Sequence, residues 1–253
     1  MLALNLLTLA GRLWLRLHGI KPGRGGWVHG LPVLRLADGS NVEIGNDVTL
    51  NSTSRFNPLA PARRLAIVTC APGARVVIGD RAGLSNCVIS CSERIVIGPD
   101  SMLGAECLVI DSDFHGLPLG QGKAARTAPV EIGHHVFIGA RSIILKGVRI
   151  GDGAVIGAGS VVCSDIPAGC VARGNPAQII KPAAAIRGRP TMQFGLHPPY
   201  RQKGASIARP PSGTGIHRCV FGHHSSFLLP LAAALSHAVG FPDLGVLRRL
   251  RPH

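Results

Sequence analysis

From Ile132 onward the chain places an aliphatic residue at every sixth position: Ile132, Ile138, Ile144, Ile150, Ile156 and Val162. The residue after each is mostly small, as in Gly133, Gly139, Gly151 and Gly157, with Leu145 and Cys163 as exceptions. A period of six fits neither the 3.6-residue helical repeat nor plain strand alternation. It fits a strand of four or five residues followed by a tight corner, where glycine reaches φ > 0 at little cost. The same column runs upstream through Ile97, Leu103 and Val109, through Ile78 and Leu84, and faintly through Ile44 and Leu50, with slips of phase between blocks. The pattern predicts a β-solenoid in which each inward aliphatic stacks on its counterpart one coil away, about 4.8 Å along the axis.

Before the repeat, Leu2 to Leu17 is rich in leucine and carries Arg12 and Arg16. That pattern predicts an amphipathic helix packed on the solenoid, with peripheral membrane contact as the second possibility. It is too short and too interrupted to span a bilayer, and it has no charged segment ahead of an apolar core as a secretory leader would. Three regions are therefore expected: a helix and lead-in over 1–40, a repeat domain over 41–181, and a Pro-rich tail over 182–253.

Between Val109 and Ile132 the hexads stop, and a segment rich in Gly, Pro and basic residues is thrown out of the coil over 110–130. A solenoid needs no such insertion for stability, and long loops on rigid scaffolds tend to carry function. At its start stands His115, preceded by Asp111 and Asp113. A neutral imidazole can take the proton of a hydroxyl as its oxygen attacks a carbonyl, and a nearby carboxylate can orient the ring and stabilise the imidazolium. Read from the residues alone, solvated loop side chains fit His115 and the two aspartates equally well.

Composition narrows the setting. Aromatics are scarce at 4% while the chain holds 33 Gly and 19 Pro, which suits many corners and thin aliphatic layers. Of the net charge of +14, residues 1–181 supply +6 and the last 72 residues +8. No base-reading motif or basic–aromatic run accompanies that charge, so nucleic acid is not expected as a partner. Seven cysteines with no CxxC pair point to reduced thiols and a cytoplasmic setting. The tail has nine prolines, one acid and no period, and is expected to be disordered and dispensable for catalysis.

The segment IGDGAVIGAGSVVCSDIPAGCVARGNPAQIIK, Ile150 to Lys181, resembles the end of the catalytic domain of hexapeptide-repeat acyltransferases, and the likeness extends over roughly residues 40–181. Galactoside, maltose, serine and xenobiotic O-acetyltransferases belong to that family. The resemblance implies three hexads per coil, an all-β triangular prism wound as a left-handed parallel β-helix, homotrimers with sites between neighbours, and acetyl-CoA as co-substrate. It implies a catalytic role for His115 and, in GLSNCVIS, an active-site Asn86. By the same likeness Ala140 and Ala158 lie along the pantetheine arm, Cys163 and Ser164 follow at the next corner, and Lys181 lies near the nucleotide. Ser164 and Gln178 depart from the lysine and arginine common in relatives, which brings Arg173 forward as a phosphate partner. The expected reaction is acetyl transfer to a hydroxyl, first of all on a polysaccharide or glycolipid sugar. Two rivals remain: a zinc site of the gamma-type carbonic anhydrases, with His115, His134 and His135 as candidate ligands though without the expected spacing, and a non-catalytic scaffold.

Overall fold

The computed structural model describes residues 2–57, 59–60, 62–116 and 124–182; the tail expected from 182 on lies outside the described residues past its first position, as do 117–123 of the loop. Helix α1 (Leu2–Leu17) is followed by short strands that wind in coils of three. The first coil is β1 (Trp27–His29), β2 (Val33–Arg35) and β3 (Asn41–Ile44); the second is β4 (Thr49–Asn51), β5 (Ala66–Thr69) and β6 (Arg75–Ile78). The third is β7 (Gly83–Ser85), β8 (Val88–Cys91) and β9 (Arg94–Ile97); the fourth is β10 (Met102–Leu103), β11 (Leu108–Ile110) and β12 (Val130–Ile132). Then come β13 (Phe137–Ile138), β14 (Ile143–Ile144) and β15 (Arg149–Ile150), and last β16 (Val155–Ile156) and β17 (Val161–Val162). The end is closed by β18 (Cys170–Gly174) on β16 and an antiparallel β19 (Ala177–Pro182).

Every third strand joins the same sheet, which makes the three faces of a prism. Sheet 1 runs β1-β4-β7-β10-β13-β16-β18-β19, sheet 2 runs β2-β5-β8-β11-β14-β17, and sheet 3 runs β3-β6-β9-β12-β15. The coil-to-coil pairings are parallel and in register: Ile132 faces Ile150, Ile138 faces Ile156, and Ile144 faces Val162. The hexad column is therefore the core, and from Leu50 to Val162 its aliphatics are almost wholly buried. The architecture is a left-handed parallel β-helix with one short helix at its start.

The glycine after each aliphatic of sheet 3 has a specific cause. A Cβ on Gly98 would lie 2.4 Å from the carbonyl oxygen of Gly133 in the next coil, so coils stack at strand spacing only with no side chain there. The corners between sheets 3 and 1 also take a left-handed residue in each turn, including Asp47, Arg81, Asp100 and His135.

Two features fall outside the sequence reading. The prism begins at Trp27 rather than near residue 41: Val28 and Leu34 keep the six-residue step, but the four extra residues before Ile44 break the column and hide them. A second excursion, 52–65, leaves the coil between β4 and β5. The phase slips also find their cause at the corners. Leu84 to Ile89 is one residue short, with Asn86 turned to φ 47, and Ile89 to Ile97 is two residues long, with Ser92 and Glu93 in the corner.

Helix α1 closes the first coil. Leu15 is fully buried, Gly11 lets the helix backbone approach Val28, the Trp14 indole donates to the Pro32 carbonyl at 2.9 Å, and the Arg12 guanidinium donates to the Gly23 and Gly25 carbonyls. Among the described residues no helix is long and apolar enough to cross a membrane.

Candidate active site

The residues expected at the site fall on the two edges of sheet 2. Asn86 precedes β8, Ala140 precedes β14 and Ala158 precedes β17, so all three occupy the edge where the chain passes from sheet 1 to sheet 2. Arg173 belongs to the same edge, since a Cβ on Gly157 would lie 2.9 Å from its Cβ. Asp111, Asp113 and His115 follow β11, and Cys163 and Ser164 follow β17, on the edge between sheets 2 and 3. Lys181 stands apart on β19, opposite Val171. A four-residue strand such as β8 separates the edges by about 13 Å, so Asn86 and His115 of one chain stand at opposite sides of a face.

Main-chain bonds pin the base of the His115 loop. Asp113 N–H donates to the Arg126 carbonyl (3.0 Å), Ala128 N–H to the Asp111 carbonyl (3.0 Å) and Gly147 N–H to the Ala128 carbonyl (3.0 Å), while Ser112 bridges Thr127 in antiparallel fashion. Phe114 sits in the left-handed region at φ 61 with its amide on the Ser112 hydroxyl (3.0 Å), and His115 N–H donates to the Asp113 carbonyl (2.7 Å). The turn presents the His115 side chain to solvent. The Asp113 carboxylate is held by Lys146 Nζ at 3.2 Å.

Asp111 has a different task from the one expected. Its buried carboxylate accepts the amides of Ser92 (2.6 Å), Glu93 (2.7 Å) and Arg94 (2.9 Å), the donors exposed by the two extra residues of that corner. The Cys91 thiol adds a weak contact at 3.4 Å, and burial, together with the Asp111 charge, pushes that thiol up to about 12. Main-chain donors engage both Asp111 oxygens, so of the two aspartates expected near His115 only Asp113 has a carboxylate outside the coil corner. Lys146 was not anticipated. Its signal was the interruption of the aliphatic–glycine pattern at Leu145-Lys146, on the same edge as the other exception, Cys163-Ser164.

Asn86 is fully buried; its Nδ2 donates to the Arg63 carbonyl at 2.6 Å and its amide N–H to the Asn51 carbonyl at 2.8 Å. Among the described residues its buried Oδ1 has no partner. Asn86 thus ties the 52–65 excursion to the edge that carries Ala140 and Ala158. The three histidines considered for zinc do not assemble: His134 and His135 occupy the edge between sheets 3 and 1, and His115 a different one. Among the described residues no group of three His, Cys, Asp or Glu side chains converges as a metal site.

Residues 129–164 match the family model described as the hexapeptide repeat of succinyl-transferase. The chain is 48% identical over 60 residues to the 2,3,4,5-tetrahydropyridine-2,6-dicarboxylate N-acetyltransferase of Staphylococcus aureus, covering 24% of this chain and 25% of that protein. The match thus spans about a quarter of the length of the curated relatives. Similar solved structures include the polySia-specific acetyltransferase NeuO, at 24% identity and a TM-score of 0.47 over 65% of this chain and 68% of that one. A hexapeptide-repeat acetyltransferase of Vibrio cholerae complexed with acetyl coenzyme A gives 23%, 0.44, 68% and 74%, and galactoside acetyltransferase in complex with coenzyme A gives 20%, 0.41, 71% and 82%. The matched segment, residues 129–164, lies within the coils of three hexads and carries the hexapeptide repeat that this family model describes.

Proposed function

We propose that the chain is an acetyl-CoA-dependent O-acetyltransferase acting on a hydroxyl of a sugar or similar acceptor, with His115 as general base. The observation that carries this reading is the pinned loop that presents His115 on the edge it shares with Cys163 and Ser164. Neutral His115 takes the acceptor hydroxyl proton as the oxygen attacks the thioester carbonyl. The tetrahedral adduct collapses, the carbon–sulfur bond breaks, and the imidazolium returns the proton to the departing thiolate. Asp113, fixed by Lys146, lies two residues from the imidazole and is the candidate to orient it.

The coenzyme would lie along Ala140, Ala158, Cys163 and Ser164, with Arg173 and Lys181 for its phosphates. These residues occupy both edges of sheet 2 and the closing strands, which supports a site completed between copies of the chain in a homotrimer. The outer side of sheet 2 supports the same assembly, since Val33, Ala66, Val88, Leu108, Ile143 and Val161 stack in register along it, each half-buried. Residues 182–253 are assigned no part in catalysis, so a chain ending at Lys181 should keep its activity.

The S. aureus relatives are N-acetyltransferases, which gives an amine acceptor as the second reading. An acceptor screen with acetyl-CoA, following release of the free coenzyme A thiol, tests both. A product acetyl group lost in mild alkali marks an ester and one that survives marks an amide. Absence of thiol release with every hydroxyl and amine acceptor tried would remove the proposal.

A further inference from the structure

Helix α1 has two apolar sides. One, through Gly11 and Leu15, is packed on the first coil. The other consists of Leu6, Leu9, Leu13 and Leu17, spaced to form one stripe, with exposures of 61%, 62%, 55% and 72%. A surface helix normally turns charge outward at these positions. Here an apolar ridge faces away from the prism, held there by the Trp14 and Arg12 bonds to the first coil.

Charge decides the occupant. The first 37 residues carry Arg12, Arg16, Lys21, Arg24 and Arg35 and no acid before Asp38. Arg16 lies in the last turn of α1, and exposed Lys21 follows it. A second copy of the stripe would bring these cations against their like, with no carboxylate on the helix to offset them. An anionic bilayer answers both features: acyl chains accept the leucines while headgroup phosphates pair with the cations. At sixteen residues the helix is fit to lie in the interface, not to cross it.

We infer that α1 is a docking surface for anionic lipid headgroups, with Leu6, Leu9, Leu13 and Leu17 inserting at the headgroup boundary and Arg16 and Lys21 contacting the phosphates. Lipid docking of this kind does not depend on acyl transfer, so each can fail alone. Residues 227–235, an apolar patch within the basic tail, are a second segment that vesicles could attract, which makes the leucine variants decisive.

The test is flotation of the full chain with phosphatidylcholine vesicles, with and without about 30 mol% phosphatidylglycerol. The chain should float with the anionic vesicles and only weakly with the neutral ones. Leu9→Gln with Leu13→Gln should lower the association constant at least tenfold, an order-of-magnitude expectation for removing two inserted side chains. Arg16→Gln with Lys21→Gln should narrow the gap between vesicle types by about fivefold per cation. Circular dichroism and sedimentation without lipid check that the variants keep their fold and mass. Three results would overturn the inference: no flotation with either vesicle, flotation unchanged by the leucine pair, or a leucine pair that lowers the sedimenting mass.

Discussion

Sheets 2 and 3 are alike inside the prism and unlike outside it. Their inward residues are the same buried Ile, Val and Leu, stacked in the same register. Outside, sheet 3 carries charges: Arg75 pairs with Glu43 at 2.8 Å, and Glu131 takes both Arg94 (2.9 Å) and Arg149 (3.5 Å). Sheet 2 carries a half-buried apolar column from Val33 to Val161, with the candidate site residues along both its edges. The inner column thus specifies the coil, and the outer column decides what each face meets. A face of paired charges is content in water, whereas the apolar face of sheet 2 is the one proposed to meet another copy.

The largest expected effect is at the edge of sheet 2. His115→Ala should lower kcat by about 10² to 10⁴ with little change in acetyl-CoA affinity, since the turn is held by main-chain bonds and not by the ring. A folded His115→Ala protein that works within a few-fold of the parent would end its role as base. Next comes the centre of the face. Leu108→Glu places a charge in the middle of the apolar column; if the proposed homotrimer forms through this face, sedimentation should show the mass falling from three chains to one, with activity falling about a hundredfold or more. A trimer that survives this change uses another face.

A test of the edges themselves is complementation. If a site takes Asn86 from one copy and His115 from its neighbour, co-expressed Asn86→Ala and His115→Ala chains should form intact sites at about a quarter of positions. Activity should then exceed the mean of the two homogeneous variants by roughly fivefold, given about a tenfold loss for Asn86→Ala alone. If both residues serve within one chain, mixing gains nothing.

The hexad column made the fold legible, because three hexads per coil require the same inward residue at each corner spacing. The loop at His115 was legible as a break in that column. What stayed hidden lies where corners change length. Val28 and Leu34 were masked by four extra residues before Ile44, and Asp111 looked catalytic because no local pattern says that its carboxylate reaches three amides across a corner of the coil below. The excursion at 52–65 was missed for a similar reason: its anchor, Asn86 to the Arg63 carbonyl, joins residues 23 positions apart. The placing of the candidate residues on two edges follows from which sheet each hexad enters, and becomes visible only once the coils are counted.

Thiol labelling sharpens the same contrast more gently. Cys70 and Cys163 are exposed, whereas Cys87, Cys91 and Cys107 are buried, and burial pushes the Cys107 thiol up to about 11 and the Cys91 thiol up to about 12. A thiolate-seeking reagent at pH 8 should therefore modify Cys70 and Cys163 in the native protein and the buried three only after unfolding. Acetyl-CoA should slow labelling of Cys163 severalfold and leave Cys70 unchanged. Labelling of Cys163 unchanged by acetyl-CoA would move the coenzyme off the sheet 2–3 edge at the last coil.

The smallest effect is expected on sheet 3. Glu131→Gln removes the shared partner of Arg94 and Arg149, whose side chains are 47% and 72% exposed. Exposed ion pairs of this kind contribute about 0–1 kcal/mol, because water screens the attraction and two long side chains must be held in place. The amide keeps the shape and can still accept a hydrogen bond, so the thermal midpoint should move by only a few degrees, about what 1 kcal/mol produces in a domain of this size. Sedimenting mass and kcat should match the parent. If removing one charge from sheet 3 dissociates the assembly while Leu108→Glu does not, the charged face is the one between copies, and the apolar column of sheet 2 faces something else.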